Sequence, residues 1–339
     1  MNQVLRPNAS FRRVDIVIAL ASIVLSFWAT VGVAGDCQCE QGQNKTTPQS
    51  NKHAVIEIEG TPHITKFDMK LERPRRVVMD TKGNFYIVDS GIGTVYKRTP
   101  KGKVTTIAKD LDDPSGITLD KSGNVYVSTH GQGKDGEGKI LKITPGGMTS
   151  ILIEGQKGLK GMVVDKKGDL YVCSFEGNQI LKVDGKGNVS KFVDLPTPAA
   201  LILDKNGNFY SACSALGLVA KVTPKGKRIL VAKGLKIPSD LHFDPDGRLV
   251  VCEYGAGQLV TIGKAGKTSL FLKVPEGTIG FWLDPDGNVT TASWDKATVT
   301  NRKTVYSVLC PYSKKLLKIR IKEKPKKRVV EIRHDMPHE

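Results

Sequence analysis

The segment Asp80-Thr-Lys-Gly83-Asn84-Phe-Tyr86 returns five more times in this chain, beginning at Asp120, Asp165, Asp204, Asp244 and Asp284. The steps between these aspartates are 40, 45, 39, 40 and 40 residues. A fixed period of about 40 residues with strand-like content is the pattern of propeller blades, and it predicts an all-β, six-bladed ring.

Each copy reads as four strands. A short β-branched run precedes the Asp, such as Arg76-Val77-Val78-Met79, and suits an inner strand buried on both faces. Asp supplies an acceptor for turn amides and Gly accepts positive φ, so Asp-x-x-Gly between two apolar runs is hairpin chemistry. A third strand alternates with period two, as in Ile140-Leu-Lys-Ile143, and a second turn such as Thr99-Pro-Lys-Gly102 leads to an outer strand. Ring closure needs a strand from one terminus to complete a blade begun at the other. Either Ala54–Ile58 or Ile64–Phe67 can supply the outer strand of blade six, with Leu316–Ile319 as that blade's third strand.

The run Pro114-Ser-Gly116-Ile-Thr-Leu-Asp120-Lys-Ser-Gly-Asn-Val-Tyr126-Val127 resembles an NHL-type repeat, and the wider outline over residues 53 to 322 is similar to the six-bladed propellers of the SMP-30/gluconolactonase and virginiamycin B lyase group. This resemblance implies a fold; propellers host many unrelated activities.

Arg12 and Arg13 precede Ile16–Ala34, nineteen residues free of charge that close in Gly32-Val33-Ala34. This is a signal peptide by construction, so the chain is expected to be exported to a periplasmic or extracellular compartment. An uncleaved membrane anchor through residues 16–34 is the alternative, since the run is long enough to span a bilayer. Residues 35–52 are too polar to join a core and read as a tether, and residues 323–339 as a basic tail. Cys37 and Cys39 lie too close together for a zinc pair. Cys173, Cys213, Cys252 and Cys310 are expected to be buried thiols, although an exported protein could form disulfides.

The formal charge is +17, falling to about +15 without the leader. An export signal argues against nucleic acid as the partner, and a soluble lysine-rich surface accounts for the charge. Gly131-Gln-Gly133-Lys-Asp-Gly136 matches a dinucleotide motif but leads into a strand rather than a helix. Asp244-Pro-Asp246-Gly247 and Asp284-Pro-Asp286-Gly287 echo calcium loops without the distal Glu. Asn44, Asn188 and Asn288 begin glycosylation sequons.

Inner strands begin, and second strands end, on one face of the ring, so the candidate site is the mouth of the central channel on that face. Counting back from each repeat Asp, small residues in blades two to four leave space there. Arg76, Asp89, Asp240, His242, Glu253 and Trp282 surround it, with His130 and Trp294 roofing the opening. The expected function is binding of a small ligand or an exported protein by a monomeric chain. The alternative is a metal-dependent lactone or ester hydrolase, or a lyase, of the kinds the resemblance implies. That alternative requires a divalent cation, Ca or Mg, for which Asp240, His242 and Glu253 are the candidate ligands. The hydrolases' acidic residue before the first inner strand is replaced here by Arg75-Arg76, and no catalytic residue is assigned.

Overall fold

The computed structural model of the protein describes residues 54–56, 58–131, 137–309, 316–319 and 330–332. The leader, the tether with Cys37 and Cys39, and Cys310 lie outside them. The described residues contain no α-helix, only three short 3-10 turns, and no helix among them is long and apolar enough to cross a membrane.

Two units are distinguished. The smaller contains an antiparallel pair, Ala54–Ile56 with Val330–Ile332. The larger is a six-bladed propeller of four-stranded antiparallel blades. Blade one comprises Pro74–Met79, Phe85–Asp89, Thr94–Arg98 and Val104–Ala108; the following four repeat the order inner, second, third, outer. The six inner strands neighbour one another in sequence, and that of blade six, Thr278–Leu283, lies against that of blade one.

Closure uses the amino-terminal side, as expected, through Ile58–Lys66 as the outer strand of blade six. The third strand of that blade differs from expectation. It is Thr298–Leu309, which pairs with Val289–Ser293 on one edge and with Ile58–Lys66 on the other. Leu316–Ile319, which had the right alternation, is instead a further short strand paired with Thr298–Leu309.

The turn chemistry is the predicted one. Asp80 Oδ1 accepts from the amides of Lys82 (2.9 Å) and Asn84 (2.8 Å), while Oδ2 accepts from Asn84 Nδ2 (2.8 Å) and the Tyr86 hydroxyl (3.2 Å). Asp120 repeats the set, and Gly83 and Gly123 adopt φ of 78° and 80°. Between blades, alternate apolar side chains interlock; Val88, Val95 and Val127, for example, are fully buried in one cluster. Cys173, Cys213 and Cys252 are buried free thiols, each pushed up to about 12 by desolvation.

Candidate functional site

Every inner strand carries one irregularity near its start. Pro74 pairs with Asp89 but Arg76 pairs with Val88, so Arg75 is an extra residue bulged out of the ladder. The same shift follows Pro114, Leu159, Pro198, Pro238 and Thr278. A bulge re-aims one side chain, and all six bulge residues, Arg75, Ser115, Lys160, Ala199, Ser239 and Ile279, line a cleft of about 620 Å³ at the channel mouth. A second ring comes from the residues that follow the second strands. The amides of His130, Phe175, Tyr254 and Trp294 each donate to a carbonyl just before the blade's inner strand, which holds these side chains over the cleft they line.

Arg75 is held by Asp113, with Nη2 3.1 Å from Oδ1. It donates from Nη1 to Ser115 Oγ at 3.2 Å and lies 4.4 Å from the Trp294 ring centroid. Arg76 runs under the mouth, donating from Nη2 to the carbonyls of Ala199 (3.0 Å) and Ser239 (2.9 Å), and pairs through Nη1 with Asp240. Lys160 differs from both. Its ammonium sits 3.4 Å from the centroid of Phe175 and makes no ion pair among the described residues. Burial, followed by the charges of Arg75 and Arg76, lowers its pKa to about 8. His130 Nε2 lies 3.6 Å from the half-exposed Glu176; burial and then Lys160 hold the imidazole below its ordinary pKa.

Of the eight residues expected at the site, Arg76, His130 and Trp294 line the cleft, joined by Arg75, Lys160, Phe175 and Tyr254. Asp89 and Glu253 instead tie down the connections beside them. Asp89 accepts from the amides of Glu72 (2.8 Å), Arg73 (2.8 Å) and Gly91 (3.0 Å). Glu253 accepts from the amide of Lys236 and from Gln258 Nε2, both at 2.8 Å. Ser174 and Ser293, at the same strand position, perform this task by donating to the carbonyls of Lys157 and Glu276, two residues before the inner strands begin. Asp240 is 4 % exposed; besides Arg76 it accepts from the amides of Leu241 (3.0 Å) and Phe281 (3.1 Å). His242 packs edge-on against Phe281 and Trp282, and burial lowers its pKa.

The proposed ligand set Asp240, His242 and Glu253 is therefore not assembled: two carboxylates are committed to amides and guanidinium, and no three His, Cys, Asp or Glu side chains among the described residues are grouped to hold a cation. At the mouth itself Arg75, Arg76 and Lys160 outnumber Asp113, which is paired with Arg75, and the half-exposed Glu176, so a divalent ion would meet net positive charge and the residues present do not fit one. The small residues of blades two and three leave no space either. A Cβ on Gly116 would stand 2.1 Å from Lys160 O, and one on Gly161 2.7 Å from Ala200 Cα. Glycine there lets neighbouring inner strands close on each other.

No family model matches the chain, and comparison with curated proteins gives no match. Solved structures do share its fold. A gluconolactonase from Xanthomonas campestris superposes with a TM-score of 0.61 at 11% identity, covering 72% of this chain and 90% of that one. A virginiamycin B lyase from Staphylococcus aureus gives 0.56 at 15%, covering 77% and 88%, and an auxiliary nutrient binding protein from Bacteroides thetaiotaomicron 0.62 at 10%, covering 73% and 77%. The chain is thus a six-bladed propeller of the architecture used by gluconolactonases and virginiamycin B lyase.

Proposed function

We propose that this protein is an exported propeller that binds a small organic anion, an apolar or aromatic carboxylate, at the channel mouth. The observation that carries the reading is the isolated charge of Lys160. Among the described residues, Arg75 and Arg76 each have a carboxylate, whereas the Lys160 ammonium has a ring face and no ion pair. A desolvated cation without a counter-charge is disfavoured until an anion joins it. Arg75 adds a second unused donor, because its buried Nε has no acceptor among the described residues. Phe175, Tyr254 and Trp294 offer flat apolar surface for the body of the ligand, and the cleft has the size of small-molecule sites rather than of a protein interface. The nutrient binding protein with this fold supports a binding role; the lactonase and lyase neighbours support the metal-dependent alternative, which the cationic mouth disfavours.

Titration calorimetry with benzoate, phenylacetate and indole-3-acetate tests the reading. At pH 6–7 at least one should bind with a dissociation constant in roughly the micromolar to millimolar range, and Lys160→Met should weaken it about tenfold or more, equivalent to ~1.4 kcal/mol. Binding should weaken with added salt and as pH rises through about 8, where the ammonium loses its proton. Equal affinity in wild type and variant would overturn the assignment.

A further inference from the structure

An amine that forms imines at neutral pH needs a usable unprotonated fraction, a nitrogen not locked into an ion pair, and an open side from which a carbonyl can approach; neighbouring cations and desolvation provide the first. Lys160 meets these conditions. Its side chain is half-buried on the bulge of blade three and lines the open cleft. Its Nζ makes no ion pair among the described residues, and the aromatic face of Phe175 covers one side without accepting a full proton bond. Arg75 and Arg76 stand in the same cleft and lower the proton affinity of the amine. His130, beside Glu176, lines the cleft too and is electrostatically coupled to Lys160.

We propose that Lys160 forms a reversible imine with a 2-oxo acid whose carboxylate is received by Arg75. This rests on the anion-binding reading and narrows its ligand to acids carrying an adjacent carbonyl. The neutral Lys160 nitrogen attacks the carbonyl carbon; a C–N bond forms, the C=O π pair moves to oxygen, and that oxygen takes a proton while nitrogen gives one up. The resulting hydroxyl leaves with a second proton as water, giving the imine, so amine and carbonyl become imine and water with no change of oxidation state. His130, which lines the same cleft, would carry protons between nitrogen and the departing oxygen.

The experiment uses the full chain with pyruvate and phenylpyruvate as probes, sodium cyanoborohydride to fix any imine as a secondary amine, and peptide mass mapping. One dominant adduct is expected at Lys160, with the mass of the oxo acid less one oxygen atom. Labelling should accelerate as pH rises from 6 to 8 and fall when benzoate competes. Lys160→Arg, which cannot form an imine, should remove this adduct. Arg75→Gln should slow labelling by the oxo acids at least fivefold but not by propanal, which has no carboxylate. If calorimetry shows oxo-acid binding and the label is absent from Lys160 or spread evenly over surface lysines, the imine is overturned and the binding site stands. If the wild type neither binds nor labels, both readings fall. Benzoate protection in the wild type decides the matter even if a variant does not fold.

Discussion

Asp240→Ala is expected to destabilise the ring by about 3–5 kcal/mol, because it strands a guanidinium inside the channel. Arg76 is 13% exposed at its side chain and Asp240 5%. The carboxylate also accepts the amides of Leu241 and Phe281, so its loss leaves two backbone donors and one cation uncompensated. The sequence alone places Asp240 at the channel mouth as a candidate ligand, whereas the structure makes it a buried counter-charge. Urea unfolding distinguishes the two, and the double variant Arg76→Met/Asp240→Leu should recover much of the loss, since an apolar pair of similar volume leaves no charge behind. A shift in the single variant below ~1 kcal/mol would contradict the structural role.

Gly116→Val should cost on the order of 3 kcal/mol or more. The added Cβ would meet Lys160 O at 2.1 Å, Ser128 Oγ at 2.7 Å and Lys160 C at 2.9 Å, and two of these are backbone atoms that cannot swing aside. Ser128 Oγ accepts from the Gly116 amide (2.9 Å) and donates to Lys160 O (2.7 Å), so one hydroxyl stitches the inner strands of blades two and three. Valine would break that link and move Lys160 itself, lowering ligand affinity as well as stability. Gly168→Ala is the control: nothing lies within 4 Å of its Cβ position, and only its φ of 91° opposes a side chain, at about 1 kcal/mol. Equal melting temperatures for Gly116→Val and wild type would show that the inner strands are not in close contact there.

The ring was legible because the Asp-Gly hairpin repeats with constant chemistry: Asp80 and Asp120 bind the same turn amides in the same way. Their spacing therefore reports blade count directly. The mouth was less legible for one geometric reason. Strict period-two counting from Asp80 lands on Arg76, but one bulged residue per inner strand puts Arg75, Lys160 and their counterparts into the cleft as well. A signal existed. The position five before each Asp reads Arg75, Ser115, Lys160, Ala199, Ser239 and Ile279, varied in chemistry, while the position before it is Pro in four of six blades, as suits a strand's first residue beside a bulge. Asp89 and Glu253 misled because an acidic residue at a strand end reads as a ligand, whereas hydrogen-bond accounting gives it to loop amides. Blade six's third strand was missed because Thr298–Leu309 is rich in Thr and basic residues and lacks the apolar alternation of its counterparts.

The central claim, that Lys160 is the anchor of an anion site at the channel mouth, is tested most directly by soaking crystals of the protein with 4-iodobenzoate and recording anomalous scattering from iodine. The account predicts an iodine peak in the cleft against Phe175, Tyr254 or Trp294, with the carboxylate on Lys160 Nζ, and its disappearance in Lys160→Met crystals. An empty cleft in crystals that bind iodobenzoate elsewhere on their surface would contradict it.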